Sequence, residues 1–247
     1  MRLHGATALV TGANRDLGRH FAEQLLHRGA AKVYATARRP ELVDLPGAEV
    51  LPLDVTDPAS VAAAAAAAGD VDLLINNAGV SLGVNLVGGD LDKIRLTLDT
   101  HFYGTLAMIR AFAPVLAGNG GGAILNVLSV LSFQSFDGNN AYAVAKSAQW
   151  ALTNGVRLEL ADQGTLVTGL VFGPTATETM KAFADKALEG GALPDGVLND
   201  PVDIVRAALD GVEAGKIEIL ADGFGVAAKA ALTGDPRAFV LGTASAG

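Results

Sequence analysis

The chain has no cysteine among its 247 residues, which excludes a disulfide framework and any thiolate-held metal. Aromatic residues make up only 5% of it, so the core must rest on aliphatic side chains and alanine. Positive charge is scarce: 18 Lys and Arg against 26 Asp and Glu leave a net charge of −8. That balance argues against a surface that tracks phosphate backbones, and nucleic acid is not an expected partner. The four histidines, at 4, 20, 27 and 101, show no paired ligand spacing, so no metal site is expected. No uncharged apolar run approaches the ~20 residues of a membrane-spanning helix, and "VAAAAAAAGD" reads as a short alanine-rich helix. The opening "MRLHGATALVTG" enters an apolar strand without a long apolar leader, and a cytoplasmic location is expected.

What is present is hydrophobicity in a regular order. Half of the residues are apolar, enough for a sizeable core. Near-continuous apolar runs predict strands at 6–11, 32–37, 49–54, 72–77, 123–128, 166–171 and 216–221. Between them, helices are predicted at 17–28, 58–68, 91–117, 141–162 and 201–213, two of them opened by Asp57-Pro58 and Asp200-Pro201. Strand-helix alternation without a linker implies one α/β domain over 1–247. The expected fold is a Rossmann-type, doubly wound parallel sheet of about seven strands with helices on both faces.

The first strand runs into "TGANRDLG". Gly12 permits backbone geometry that a side chain forbids, and Gly18 lets the following helix approach the sheet. A helix that starts there offers free N–H groups to an anion, the usual device for a pyrophosphate. Asp16 stands where a further glycine is expected. A carboxylate ~5 Å from a diphosphate, at an effective dielectric of ~20, meets about 3 kcal/mol of repulsion. Alternatively, Asp16 points to water and favours the first helical turn. After the second strand, where a 2′-hydroxyl would call for an acidic residue, the chain offers Arg38 and Arg39. Their planar forks suit a 2′-phosphate, and Arg15 is placed to help, so NADP(H) is the expected cofactor.

"TGANRDLG", "NNAG" at 76–79, "YAVAK" at 142–146 and Ser129 thirteen residues before Tyr142 together resemble the short-chain dehydrogenase/reductase family. "FGPTAT" at 172–177 looks like that family's proline-glycine segment. The resemblance spans nearly the whole chain. It implies reversible, NADPH-dependent reduction of a ketone or aldehyde by a carbonyl-reductase type of enzyme. Tyr142 would be the general acid, Lys146 would bind ribose and tune the phenol, and Ser129 would orient the substrate. Along the cofactor it implies Asn14 and Leu17 with the glycine turn, Asp54 and Val55 by the adenine, and Asn76, Asn77, Ala78 and Gly79 further on. Tyr142, Lys146, Gly173, Thr175 and Thr177 complete the set. Independently of the family, Tyr142 and Lys146 lie one helical turn apart, and an ammonium there is expected to lower a phenol pKa from about 10.

The chain also departs from the family. His101 occupies the place of an asparagine that holds a water in a proton relay to the lysine, and serves that relay or disturbs it. Phe172 replaces the usual proline. With Asp16, these changes motivate an alternative reading, a catalytically impaired NADP(H)-binding sensor or scaffold. The segment 174–200 is expected to be a flap over the substrate. "SFQSFDGNN" at 132–140 gives an apolar wall without an anion receptor, which points to bulky neutral carbonyls. Trp150 belongs either to the core or to a helical dimer face, and a homodimer or homotetramer is expected.

Overall fold

The computed structural model describes residues 1–181 and 197–235, together with the backbone of 240–241. Seven strands form one parallel sheet: β1 (Thr7–Thr11), β2 (Lys32–Ala37), β3 (Glu49–Pro52), β4 (Leu73–Asn76), β5 (Gly122–Val127), β7 (Thr165–Val171) and β8 (Glu218–Leu220). Their spatial order is β3-β2-β1-β4-β5-β7-β8. The winding reverses between β1 and β4, and the crevice beyond their carboxyl ends is where such sheets take ligands.

Both sheet faces are covered because the strands are apolar on both sides. Ala8, Val10, Ile75 and Leu125 meet α1 (Asp16–His27) through Phe21 and Leu25, and meet α6 (Pro201–Glu213) through Val205 and Leu209. Leu9, Leu74 and Ile124 face the other way, towards Val61 of α2 (Pro58–Ala67) and Phe112 of α4 (Thr105–Gly118). Val156 of α5 (Asn140–Glu159) joins this second layer. Asp57 and Asp200 cap α2 and α6 as the sequence implies, accepting from Ala59 N and Val202 N. Among the described residues, no helix is long and apolar enough to cross a membrane.

Three elements differ from the sequence expectation. The helix predicted over 91–117 is interrupted: α3 (Leu91–Leu98) passes through a π-helical turn at Asp99–Gly104 before α4 begins. Thr97 and Thr100 donate to the carbonyls of Lys93 and Leu96, a back-bonding that bends helices. A Cβ on Gly104 would lie 2.8 Å from Val55 Cγ2, so the turn presses close to the end of the sheet.

A further helix, α7 (Gly223–Ala231), has weak intrinsic signals because of its glycines. It forms because Asp222 caps it and because Lys229 lies 5.0 Å from the rings of both Phe133 and Trp150 while bonding Glu218. Trp150 is thereby engaged within the chain. Finally, β6 (Ser135–Phe136) pairs with β9 (Val240–Leu241), two strands too short for a periodic signal.

Phe112 is fully buried at the centre of the second layer. Phe112→Ala is expected to lower the unfolding free energy by about 3–5 kcal/mol, measured by urea denaturation.

Candidate active site

The carboxyl ends of β1, β2, β4 and β5 open onto a cleft of about 880 Å³. Its floor is the glycine turn. Gly12 has φ +68°, and a Cβ there would come within 3.1 Å of Ala78 Cα. The end of β4 is tied to this turn. Asn77 Nδ2 donates to the Thr11 and Gly12 carbonyls, and the Thr11 hydroxyl accepts from the Asn77 and Ala78 amides. Asn14, Arg15, Leu17, Asn77, Ala78 and Gly79 line the cleft. Gly18 does not. It is packed beneath the turn, where a Cβ would collide with the Gly12 carbonyl. Asn76 is likewise buried below, donating to Asn126 Oδ1.

Asp16 takes the left-handed backbone of the glycine it replaces, with φ +51°, the one non-glycine among the described residues to do so. Asp tolerates this region better than bulkier residues. Its carboxylate has partners within the chain while Asp16 lines the cleft. It accepts from the Glu178 amide at 2.8 Å and the Thr179 hydroxyl at 2.7 Å, with Arg15 3.8 Å away. The charge thus engages residues 178 and 179 of the segment expected to form the flap. Residues 182–196 of that segment lie outside the described residues.

At the far end of the cleft, Arg38 and Arg39 follow β2 and are exposed, with no ion-pair partner among the described residues. Asp54 and Val55 face them, and the Asp54 carboxylate accepts from the Thr56 amide and hydroxyl.

Ser129, Tyr142, Lys146 and His101 converge at the other end. Ser129 ends the extension of β5 and caps a short 3₁₀ turn, its Oγ accepting from Leu131 N while Ser132 Oγ accepts from Ser129 N. Ser132 therefore braces Ser129. The Tyr142 side chain, in the first turn of α5, hydrogen-bonds the Ser129 side chain. Burial pushes the phenol up to about 12, with the Ser129 bond pulling the other way.

Lys146 is 3% exposed, and loss of hydration pushes its ammonium down to about 7. The expected lowering of the phenol by the lysine is not found here. The ammonium lies 5.6 Å from the Tyr142 ring centroid and spends its bonds on the Val127 carbonyl and Gln149 Oε1.

The π turn aims His101 inward. Its Nε2 lies 2.8 Å from Val80 O and 3.1 Å from Val80 N, and its ring meets Tyr142 edge-on at 5.1 Å. A Cβ on Gly79 would come within 2.5 Å of the imidazole, so that glycine makes room for it. Burial first, then the Lys146 charge, hold His101 down to about 3, so it is neutral at ordinary pH. Its Nδ1 is buried without a hydrogen-bond partner among the described residues.

Gly173, Thr175 and Thr177 close the cleft beside these groups. The Gly173 amide donates to Asp222 and the Thr175 hydroxyl to the Gly173 carbonyl. Two contributors escape sequence reasoning. Phe224 lines the cleft from α7, packed so closely on Gly173 that a Cβ there would lie 2.7 Å from the ring. Gln149, buried at 1% exposure, contacts Lys146; its only signal is its place three residues later on the same helix.

A short chain dehydrogenase family model matches residues 6–187. The 3-oxoacyl-[acyl-carrier-protein] reductase of Vibrio cholerae is 32% identical over 219 residues, which cover 84% of this chain and 89% of that protein. The 7alpha-hydroxysteroid dehydrogenase of Clostridium sardiniense is 31% identical over 250 residues, covering 90% and 94%. Among solved structures, a short chain dehydrogenase from Burkholderia cenocepacia in complex with NADP superposes with a TM-score of 0.87 at 34% identity, covering 96% and 97%. With the glycine turn, the serine–tyrosine–lysine set and the sheet order already in place, these matches make the chain a member of the short-chain dehydrogenase family.

Proposed function

We propose that the protein interconverts a ketone or aldehyde and its alcohol with NADP(H), Tyr142 donating the proton in the reductive direction. The observation that carries this reading is the meeting of the Ser129 and Tyr142 side chains in the same cleft as the glycine turn. The residues present fit a phosphorylated dinucleotide. Gly12 supplies a cradle without a side chain, and Arg38 and Arg39 offer exposed guanidinium groups, without an ion-pair partner among the described residues, where a 2′-phosphate would lie. Asp54 and Val55 would flank the adenine, and Lys146 the nearer ribose. NADP in the Burkholderia relative supports the same choice.

The cofactor, when bound, supplies or accepts the hydride. The chain's own residues handle the oxygen and its proton. The Ser129 and Tyr142 hydroxyls together orient a carbonyl oxygen, and Tyr142 passes its proton to that oxygen as charge builds there. The phenolate left behind is stabilised by the Lys146 ammonium. At 5.6 Å from the ring and an effective dielectric of ~20, the attraction is about 3 kcal/mol.

His101 shapes the floor under Tyr142 in neutral form. The sensor reading leaned on Asp16 and His101. One is turned to residues 178–179 and the other leaves the serine–tyrosine–lysine set intact, so neither favours it. Leu131, Phe136, Met180 and Phe224 line the substrate end, with neutral Gln134 and Asn139, which favours a bulky uncharged carbonyl compound.

Tyr142→Phe is expected to cut turnover by at least ~100-fold while the Kd for NADPH stays within about twofold, by fluorescence titration. Unchanged kcat in that variant rejects the assignment. Replacing Arg38 and Arg39 with serine is expected to weaken NADPH about 10-fold or more and leave NADH nearly unaffected. Equal losses for both cofactors would place the 2′-phosphate elsewhere.

An unfolded histidine holds its proton below pH 6.5, whereas folded His101 takes one only near 3, so the unfolded chain binds more protons in between. The His101 share of the stability is therefore fully present above pH 6.5, and it falls by up to about 1.4 kcal/mol per unit as pH drops from 6.5 towards 3. His101→Asn is expected to flatten this decline of Tm, measured by calorimetry from pH 7 to pH 4.

A further inference from the structure

We infer that Gln149 is a positioning residue for the proton-transfer site, its amide oxygen holding the Lys146 ammonium in register with Tyr142 and the cleft. The inference rests on the functional reading above and extends it to a residue outside the serine–tyrosine–lysine set. A lysine ammonium has three N–H donors and no acceptor, and burying it requires partners for each. Two are fixed by the protein. One goes to the Val127 carbonyl at 2.7 Å, at the end of β5, and one to Gln149 Oε1 at 2.9 Å. The third is left for the cleft, which Lys146 lines. The Val127 partner is backbone, so among the described residues Gln149 is the one side chain recorded as accepting from this ammonium.

Gln149 is itself held on both sides. Its Nε2 donates to the Thr105 hydroxyl at 2.8 Å, at the first residue of α4, directly after the π turn. Its backbone carbonyl accepts from Thr153 Oγ1, which in turn accepts from Asn126, and Asn126 accepts from Asn76, so the helix turn that carries Gln149 is tied to β5 and β4. With Nε2 held by Thr105, the amide is oriented so that its oxygen faces the ammonium. His101 does not serve in its place. Its Nε2 is taken by Val80, and Nδ1 has no hydrogen-bond partner among the described residues. The titratable groups facing Lys146 are Tyr142 from α5 and His101 from the π turn, while β5 presents only the neutral Val127 carbonyl. No carboxylate within the described residues forms an ion pair with it. A neutral acceptor favours the charged form of the lysine without cancelling the charge that the phenolate needs.

The test follows the Lys146 titration directly, by NMR of protein carrying ¹³C-labelled lysine, with Lys146→Arg to assign the signal. The midpoint is expected about one pH unit lower in Gln149→Leu, which keeps the bulk and loses the acceptor, and about one unit higher in Gln149→Glu. In carbonyl reduction the alkaline limb of the kcat profile is expected to move in the same directions, with KM for NADPH changing less than kcat. A residue that merely ties α5 to α4 would leave the midpoints coincident or move both variants the same way, and either result overturns the inference. Should Gln149→Leu fail to fold, the Gln149→Glu midpoint decides alone, and no upward shift rejects the inference. If the wild-type protein reduces no carbonyl compound, the functional reading fails, while the lysine midpoints still judge Gln149.

Discussion

The Lys146 ammonium lies buried between β5 and α5, bonded to the Val127 carbonyl and the Gln149 amide, under the phenol of Tyr142. Much of the polar interior is arranged around that charge. A buried cation without acceptors would cost several kcal/mol or lose its proton. Even with two acceptors its grip is weakened to about 7, and the Tyr142 phenol stands near 12. The phenol thus keeps its proton at neutral pH, while the lysine stands near the midpoint of its titration. The same charge, with burial, keeps His101 neutral beneath the ring.

The mouth of the cleft shows how one side chain can serve two demands. The turn after β1 requires a left-handed residue at position 16, a demand that glycine meets at the lowest cost. Asp16 meets it with φ +51° and then uses its carboxylate to fasten residues 178 and 179. What looks in the sequence like a charge set against a diphosphate is, in the fold, a charge with two donors of its own. The repulsion estimated from charge and distance alone ignored these partners.

The seven parallel strands and most helices were legible because each is a run long enough to carry a period, and because the caps at Asp57 and Asp200 mark their starts. The serine, tyrosine and lysine were legible because their spacing places them at one strand end and on one helix. Phe224 and Gln149 were not. Phe224 reaches the site on a glycine-rich helix held mainly by Asp222 and by Lys229 against Trp150 and Phe133, contacts between residues far apart in the chain. Gln149 resembles any polar residue on a helix until its neighbours are known. The π turn at Asp99–Gly104 was hidden for a similar reason: a helical period continues through it, and only the approach of Gly104 to Val55 reveals the change.

The order of apolar runs and glycines in this chain determined by itself a doubly wound sheet, a phosphate-type turn and a tyrosine one helical turn from a lysine, since period and spacing are local properties of a chain. Tertiary structure alone decided where the charges of Asp16 and Lys146 are spent and which way His101 faces. Those outcomes depend on partners brought from up to 163 positions away, and on a burial that no short stretch of sequence can express.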